Sequence, residues 1–384
     1  MKKISVFIIA AALAVSCTRL EKNEYEITAR IDPAYNGKQV FLKKGEDQSS
    51  LLSVLDTAVV ENGSFTFRGK TEKPFKCFIF IEGMAKDSTV LFAEEGEIRI
   101  EINKDTLYNS IAGGTLNNSA LARFTKLNQV IEQEYTRFWD QNEKVFYQAE
   151  SENDTVTQNR IVKELTDLTG EKMKKYRAFV DENINSAVAM EAFVTLLQDS
   201  EATSAGLKAT FEKFPSEVRE TKLGKNISEY ISKLEENEKA QAATAQGKTA
   251  PDFSAQTPEG TMLSLKKAMG KATIIDFWAS WCGPCRHENP NVVALYNELH
   301  GKGLNIIGVS LDKDAAKWKA AIAEDKLIWQ HVSTLKGWDD TVAKRYGVNS
   351  IPETVLLDAN GVIIARGLKG EGLRLKVMEL LGVK

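Results

Sequence analysis

Two cysteines separated by two residues, at the junction of a strand and a helix, constrain this chain more than any other feature. The apolar run ATIIDFW predicts a buried strand that ends at Trp278, and a helical pattern extends from Cys282 to Leu299. Unpaired N–H groups and the dipole at a helix start stabilise an anion, which makes a thiol there reactive. We therefore predict a redox centre, in which Cys282 attacks an incoming disulfide and Cys285 resolves the mixed disulfide.

The same pair of cysteines is also compatible with a structural disulfide or with part of a metal-binding site. A structural zinc site requires four suitably placed ligands. The chain has no second cysteine pair, and His287 points to a different helix face from Cys285. The sequence therefore predicts no metal, while a structural disulfide remains open. Without a G-x-G-x-x-G loop or a flavin signature it also predicts no cofactor, so electrons have to come from another molecule.

The N-terminal residues have the pattern of an export signal. Two lysines precede an apolar run from Ile4 to Val15, which is short for a membrane span. The stretch LAVSC resembles a bacterial lipobox, so we expect a signal peptide over residues 1–16 and a lipid anchor on Cys17; the alternative is ordinary cleavage. A tether over residues 17–24 would then hold the protein at the cell envelope, facing the periplasm.

Composition limits the remaining function classes. A chain of 384 residues with 43% hydrophobic residues predicts two or three packed domains rather than disorder. The net charge is −3 and no long basic run is present, which argues against a nucleic-acid partner. Cys77 lies in the apolar run KCFIFIEG and is expected to be a core residue rather than a reactive thiol.

Changes in hydrophobic period predict a multidomain architecture. Alternating runs such as EIRIEIN, with a hairpin signal at Asn62-Gly63, predict an all-β, sandwich-like domain over residues 25–116. Apolar residues at helical spacing predict a domain of three to five helices over residues 117–240, followed by a linker at 241–250. Alternating strands and helices over residues 251–384 predict an α/β domain with a mixed sheet and a terminal hairpin.

The C-terminal region resembles a thioredoxin-fold domain of the TlpA/ResA type. The resemblance rests on APDFSAQTPEGTMLSL, DFWASWCGPCRHENP, GLNIIGVSLDKD and YGVNSIPETVLLDANGVII. It implies the thioredoxin fold, with Cys282 as nucleophile, Cys285 as resolving thiol and a cis-proline at Pro352 that faces the disulfide. The β domain resembles poorly characterised domains that precede such domains in exported proteins of the Bacteroides group, which implies no activity.

The resemblance also assigns residues that contact a substrate. It implies that the backbone of Ile351 pairs with a substrate strand. Trp281, directly before the nucleophile, is expected to form an apolar rim on which partners dock. The family usually has threonine directly after the cis-proline, whereas this chain has Glu353 there and Thr354 next. The substrate-facing edge is therefore expected to carry an extra acid, which bears on partner choice.

Two carboxylates flank the cysteines. Asp276 is at the position of thioredoxin's buried acid, and Glu288 matches the buried glutamate of the ResA-like branch. An acid in a dry pocket has a raised pKa and can exchange a proton with a nearby thiol. We expect Asp276 to accept the proton of Cys285. Glu288 is expected to be either a second acid that adjusts the proton affinity of the site or a solvent-facing helix residue.

The dipeptide between the cysteines, Gly283-Pro284, is thioredoxin's own and implies a reductant. We predict a membrane-anchored thiol-disulfide oxidoreductase that reduces protein disulfides outside the cytoplasm with electrons from a transmembrane thiol donor. By resemblance, its substrates include the haem-binding cysteines of apocytochrome c. A disulfide isomerase, formed by a homodimer with facing sites, and a non-catalytic binding protein remain alternatives. A peroxiredoxin would need a P-x-x-x-T-x-x-C motif, which this stretch lacks.

Overall fold

A computed structural model describes residues 20–45, 52–84, 87–103 and 105–383. The chain divides into two compact units. The first comprises the described residues up to Ala202 together with Thr210–Lys225, and the second comprises Thr203–Ala209 together with Asn226–Lys384. The predicted signal peptide and Cys17 lie outside the described residues. Within the described ranges, no helix has both the length and the apolar character that crossing a bilayer requires.

The N-terminal domain is built from two four-stranded sheets, as the alternating sequence predicts. The side chains that alternate inward form one core between the sheets, among them Ile27, Leu42, Phe67 and Ile98. The sheet orders are β4-β1-β7-β8 and β3-β2-β5-β6, and of these pairs only β1 and β7 run parallel. The strands are β1 (Glu24–Arg30), β2 (Gln39–Gly45), β3 (Leu52–Val59), β4 (Ser64–Lys70), β5 (Phe75–Ile81), β6 (Thr89–Ala93), β7 (Gly96–Glu101) and β8 (Ile111–Gly113). Cys77 is fully buried in this core, as expected, and burial raises the pKa of its thiol to about 12.

The predicted hairpin at Asn62-Gly63 is present as a turn but not as a pair of neighbouring strands. Both residues have positive φ, 50° and 67°, and Glu61 and Ser64 exchange backbone hydrogen bonds of 2.8 and 3.0 Å. The strands on either side, β3 and β4, nevertheless belong to different sheets. The turn therefore carries the chain from one layer of the sandwich to the other.

Six helices follow, where three to five were predicted. They are α1 (Leu116–Ser151), α2 (Thr155–Glu182), α3 (Ala187–Leu196), α4 (Ser204–Phe211), α5 (Ser216–Arg219) and α6 (Lys222–Ala243). The start of α1 is tied to the β domain by Glu94, a buried carboxylate directly after β6. Its Oε1 accepts the backbone N–H groups of Asn117 and Asn118 at 2.8 and 3.2 Å. This carboxylate satisfies N–H groups that a helix start leaves without an internal partner.

The structure differs from the predicted linker at 241–250. Helix α6 runs on to Ala243, and from Asn226 onward it belongs to the second unit together with the α/β domain. The N–H groups of Gly247 and Ala250 then donate to backbone carbonyls of the C-terminal hairpin, each at 2.8 Å. The segment is therefore part of the α/β domain. Its weak periodicity reflects the end of α6, a series of turns and one β-bridge between Thr249 and Val362.

The α/β domain has a seven-stranded mixed sheet in the order β10-β9-β13-β12-β11-β14-β15. The central strand β11 is buried along its whole length, runs parallel to β12 and antiparallel to β14, and leads directly into α8. The predicted terminal hairpin is confirmed by the pairing of β14 with β15. The elements are β9 (Ser254–Gln256), β10 (Met262–Ser264), α7 (Leu265–Ala268), β11 (Ala272–Trp278), α8 (Gly283–Leu299), β12 (Leu304–Ser310), α9 (Ala315–Glu324), β13 (Gln330–Ser333), α10 (Thr341–Arg345), β14 (Glu353–Asp358), β15 (Ile363–Arg366) and α11 (Gly370–Leu381).

Candidate active site

The two cysteines form a disulfide where the chain passes from β11 to α8. Their Cα atoms are 5.3 Å apart. Cys282 is the N-cap of α8, and its Sγ accepts the backbone N–H of Cys285 at 3.2 Å. Cys282 keeps 5% of its surface exposed and Cys285 only 1%. A sulfur that approaches from solvent therefore reaches Cys282 first, which is the order of access that a nucleophile and a resolving thiol require.

The turn before the cysteines is fixed by Asp312, a buried carboxylate that follows β12. It accepts the backbone N–H and the hydroxyl of Ser280 at 2.9 and 2.6 Å, and the hydroxyl of Ser310 at 2.7 Å. Ser280 is two residues before Cys282. No local pattern in the sequence indicates this role of Asp312, because its partner is 32 residues away in the chain.

Asp276 lies within β11 beneath the cysteines and is 5% exposed. Burial, and secondarily the negative charge of Glu288, raise the pKa of Asp276 to about 7. Asp276 and Cys285 both line a small, partly open cavity of about 10 Å³, the size of a single water molecule. A carboxyl group with this pKa exchanges protons readily near neutral pH.

Glu288 is half-buried and lines the same cavity. Its Oε1 accepts the backbone N–H of Gly370 at 2.7 Å, and its Oε2 accepts the side-chain amide of Asn291 at 3.0 Å. Gly370 is the first residue of α11, so the carboxylate lies at the positive end of that helix dipole. Glu288 is therefore not simply solvent-facing, and its charge acts on the redox site by raising the pKa of Asp276.

The peptide bond between Ile351 and Pro352 is cis, as the resemblance implies. Pro352 and Thr354 line the cavity that contains Cys285 and Asp276. The hydroxyl of Thr354 donates to the carbonyl of Leu368, which also lines this cavity, at 2.7 Å. Ile351, predicted to pair with a substrate strand, is half-buried at the start of this segment.

The side chain of Glu353, which was predicted to face the substrate, does not line the cavity beside the cysteines. Successive side chains of a strand point to opposite faces, and Pro352 and Thr354 occupy the face towards the cysteines. The Glu353 carboxylate instead forms an ion pair with Arg366 at 3.2 Å and lines a separate cavity. The extra acid is therefore paired within the domain and is not presented beside the disulfide.

Trp281 is 55% exposed beside Cys282, in agreement with the apolar rim predicted there. The structure adds a second exposed aromatic residue, Trp338, whose ring centroid is 6.3 Å from that of Trp281. This pairing was not predicted, because Trp338 lies in a single 3₁₀ turn, Gly337–Asp339, that carries no motif. Trp278, by contrast, is completely buried.

Arg286, directly after the second cysteine, does not interact with the sulfur atoms through any described hydrogen bond. Its guanidinium forms ion pairs with Asp325 and with Glu324, the latter at 2.9 Å, and donates to the carbonyl of Ser280 at 3.2 Å. The buried Asn289 donates to the same Asp325 carboxylate at 2.6 Å. These contacts fasten the start of α8 to the end of α9.

Comparisons with known proteins agree with this geometry. The AhpC/TSA family model matches residues 246–366. The thiol-disulfide oxidoreductase ResA of Bacillus thuringiensis is 33% identical over 135 residues, which cover 35% of this chain and 76% of ResA. The chain belongs to the ResA family of thiol-disulfide oxidoreductases. The thioredoxin-like protein YneN of Bacillus subtilis is 35% identical over 33% of this chain and 72% of its own length.

This ResA-family chain is therefore an enzyme that exchanges thiols and disulfides, and its C-terminal domain is thioredoxin-like. A solved thioredoxin domain of a thiol-disulfide oxidoreductase from Bacteroides vulgatus is 35% identical and covers 36% of this chain and 98% of that chain, with a TM-score of 0.34. The β domain matches a family model described as a domain of unknown function, DUF4369, over residues 25–121. This match extends the predicted domain of residues 25–116 by the first residues of α1.

Proposed function

We propose that this protein reduces disulfide bonds of protein substrates through Cys282 and Cys285, at the outer face of a membrane to which Cys17 anchors it. The observation that carries the proposal is the conjunction of a helix-capping, accessible Cys282 with a buried Cys285 that shares a cavity with Asp276. A disulfide that only stabilised the fold would not need one cysteine to be more accessible to solvent than the other. It would also not need a neighbouring carboxyl group whose pKa is close to 7.

In the reduced protein, the Cys282 thiolate attacks one sulfur of the substrate disulfide. That S–S bond breaks, a disulfide between Cys282 and the substrate forms, and the released substrate thiolate takes a proton from solvent. The Asp276 carboxylate then accepts the proton of Cys285, whose thiolate attacks the Sγ of Cys282. The mixed disulfide breaks, the Cys282–Cys285 disulfide forms, and the second substrate sulfur leaves as a thiolate that takes up the proton held by Asp276. Two electrons have then passed to the substrate, together with one proton from solvent and one that came from Cys285.

The exposed aromatic pair, Trp281 and Trp338, is the surface on which we place the substrate. Two large rings exposed side by side favour an unfolded or extended polypeptide, because apolar side chains next to its cysteines are accessible there. The haem-binding cysteines of apocytochrome c fit this chemistry. Cys282 and Cys285 must be reduced again after each turnover, and we assign that step to a transmembrane dithiol protein.

A trapping experiment tests the proposal. With Cys285→Ser, Cys282 should hold substrates and the electron donor as mixed disulfides in cells, whereas Cys282→Ser, the matched control, should trap far less. The purified wild-type protein should catalyse insulin reduction and have a midpoint potential near that of thioredoxin, about −270 mV. Failure to reduce insulin, or a potential close to about −120 mV as in strong oxidants, would contradict the assignment as a reductant.

The anchor is tested separately by fractionation. Cys17→Ser should move the protein from the membrane fraction to the soluble envelope fraction, because a lipidated cysteine is its proposed attachment. A variant that stays in the membrane fraction would rule out Cys17 as the anchor and leave the redox assignment untouched.

A further inference from the structure

Arg366, the last residue of β15, joins three parts of the α/β unit. Its Nη2 donates to the carbonyl of Tyr346 at 2.9 Å, and its Nε donates to Glu353 at 3.2 Å. Its Nη1 donates to the hydroxyl of Thr244 at 2.6 Å and to the carbonyl of Thr244 at 3.3 Å. We call this set of contacts the Arg366 clamp. A guanidinium suits the position because its planar fork reaches several acceptors at once, which a lysine ammonium cannot do.

The clamp holds both ends of the segment that carries Pro352. Tyr346 precedes this segment and Glu353 follows it, so the six residues 347–352 lie between the two contacts that Arg366 makes. Tyr346 is itself fully buried, and its hydroxyl donates to the carbonyl of Pro251 at 2.7 Å. One anchor of the segment is therefore fixed in the core. The other, Glu353, is held by the pairing of β14 with β11 and, through its side chain, by the ion pair with Arg366.

Residues at the end of α6 contact both Arg366 and the segment, and so hold the clamp in place. Thr244 is fully buried, and Gln241 donates from its side-chain amide to the carbonyl of Gly347 at 3.0 Å. Gly347 has φ +64°, and a Cβ atom there would lie 2.7 Å from the backbone nitrogen of Gln241. Glycine is thus required for this close approach. Thr244 and Gln241 precede residue 246, where the AhpC/TSA match begins, so this support comes from a part of the chain outside that match.

We propose that Arg366 is a positioning residue: anchored on Thr244, it fixes residues 347–352 in the arrangement that a protein substrate needs when it docks beside Cys282. This inference rests on the proposed function. Segments that bind extended polypeptide lose affinity when they must be ordered first, because the ordering cost is subtracted from the binding free energy. A small disulfide, which reacts at the sulfur without lying along the segment, does not depend on that order.

The test compares insulin with oxidised glutathione as substrates of the full chain, with dithiothreitol as reductant. With Arg366→Gln we expect the KM for insulin to rise about tenfold, the effect of losing ~1.4 kcal/mol of binding. We expect kcat for insulin and kcat/KM for oxidised glutathione to stay within twofold of wild type, and the midpoint potential to stay unchanged. Thr244→Val removes the hydroxyl that accepts from Arg366 and donates to the carbonyls of Ala240 and Tyr346, but leaves the contacts of Arg366 with Glu353 and Tyr346, so it should raise the insulin KM by a smaller factor. Arg366→Lys should behave like Arg366→Gln.

The matched control is Arg374→Gln. Arg374 also forms a two-pronged ion pair, with Glu298 at 2.9 and 3.0 Å, but it lies on α11 and has no described contact with the segment. It should leave the insulin KM unchanged. An unchanged insulin KM in Arg366→Gln would overturn the proposal that Arg366 is a positioning residue. Equal losses of kcat/KM for insulin and for oxidised glutathione would also overturn it. If Arg366→Gln does not fold, Thr244→Val decides by the same criterion. Absence of insulin turnover by the wild type would instead refute the proposed function.

Discussion

The carboxylate of Asp312 holds both the backbone N–H and the hydroxyl of Ser280, at 2.9 and 2.6 Å, two residues before the nucleophilic cysteine. The carboxylate is 1% exposed and also accepts the hydroxyl of Ser310. The turn that presents Trp281 and Cys282 is therefore fixed from the end of the neighbouring strand β12. Three donors converge on one buried acceptor group, which makes its removal costly.

Asp312→Ala should lower the free energy of unfolding of the α/β unit by about 3 kcal/mol, because three donors lose their buried acceptor. Five of the six tryptophans, all except Trp139, lie in this unit, so urea unfolding followed by fluorescence reports on it. The control is Asp314→Ala. Asp314 is exposed and accepts only the first N–H groups of α9, so its loss should cost about 1 kcal/mol. Equal effects of the two substitutions would contradict the role given to Asp312.

Asp276 should destabilise the oxidised protein as pH rises. Its pKa is about 7 in the folded state against 3.8 when unfolded, because burial disfavours the charge. Below pH 3.8 the carboxyl group is neutral in both states. Between pH 3.8 and about 7 only the unfolded state ionises, so the free energy of unfolding falls with rising pH, by ~4 kcal/mol in full.

Asp276→Asn should therefore be more stable than wild type at pH 8.5 and similar to it at pH 3.5. Asparagine has no charge to bury at either pH, so the difference between the two proteins isolates this one group. The measurement is the urea midpoint of both oxidised proteins across that range. A difference that does not change with pH would mean that Asp276 is not the buried group that titrates.

Glu94 should contribute to the stability of the first unit through the start of α1. Thr115, the N-cap, makes no capping hydrogen bond of its own from its side chain to the helix. The Glu94 carboxylate takes over that function for Asn117 and Asn118, and also accepts the Thr115 hydroxyl at 2.6 Å. Glu94→Ala should cost about 2–3 kcal/mol, more than an ordinary cap, since the site is buried.

Helix unfolding followed by circular dichroism at 222 nm measures this loss, because α1 and α2 are the two longest helices described. Glu94→Gln retains one acceptor oxygen and should lose less than Glu94→Ala. The neighbouring Glu95 is exposed, so Glu95→Ala should leave the transition unchanged. A loss in Glu95→Ala as large as in Glu94→Ala would argue against a capping role.

The parts of the site that sequence analysis recovered belong to contiguous motifs. Cys282 and Cys285 follow from a strand–helix junction, and Asp276 and Pro352 follow from the family pattern around them. Glu353 was misplaced, although strand alternation alone puts it on the face opposite to Pro352 and Thr354.

Asp312 and Arg366 were missed for a different reason. Ser280, which Asp312 holds, is 32 residues away, and Thr244, which Arg366 holds, is 122 residues away. No local period or spacing connects such pairs, because only the folded sheet brings them together. The boundary predicted near residue 240 differs from the structure for the same reason. Helix α6 has an ordinary amphipathic pattern, and such a pattern does not show to which domain the helix belongs.

His331 should make the α/β unit sensitive to acid. It is 3% exposed between the rings of Trp278 and Trp329, whose centroids are each 5.7 Å away. Burial lowers its pKa from 6.5 to about 4. Between these values only the unfolded state binds the proton, so the free energy of unfolding falls as pH falls. The contribution of the neutral imidazole to the free energy of unfolding is complete above pH 6.5 and is lost below pH 4. It amounts to about 3 kcal/mol in all.

His331→Gln should remove this acid loss, because glutamine stays neutral and can still donate to the carbonyl of Leu327, which the imidazole now contacts at 3.3 Å. The comparison uses urea unfolding of the oxidised proteins at pH 7.5, 5.5 and 4, monitored by tryptophan fluorescence. Asp276 is present in both proteins, so its opposite pH dependence cancels in their difference. The stability of His331→Gln relative to wild type should rise as pH falls. His287→Gln, at an exposed position on α8, controls for the loss of a histidine as such, and a similar rise in that variant would refute the assignment to His331.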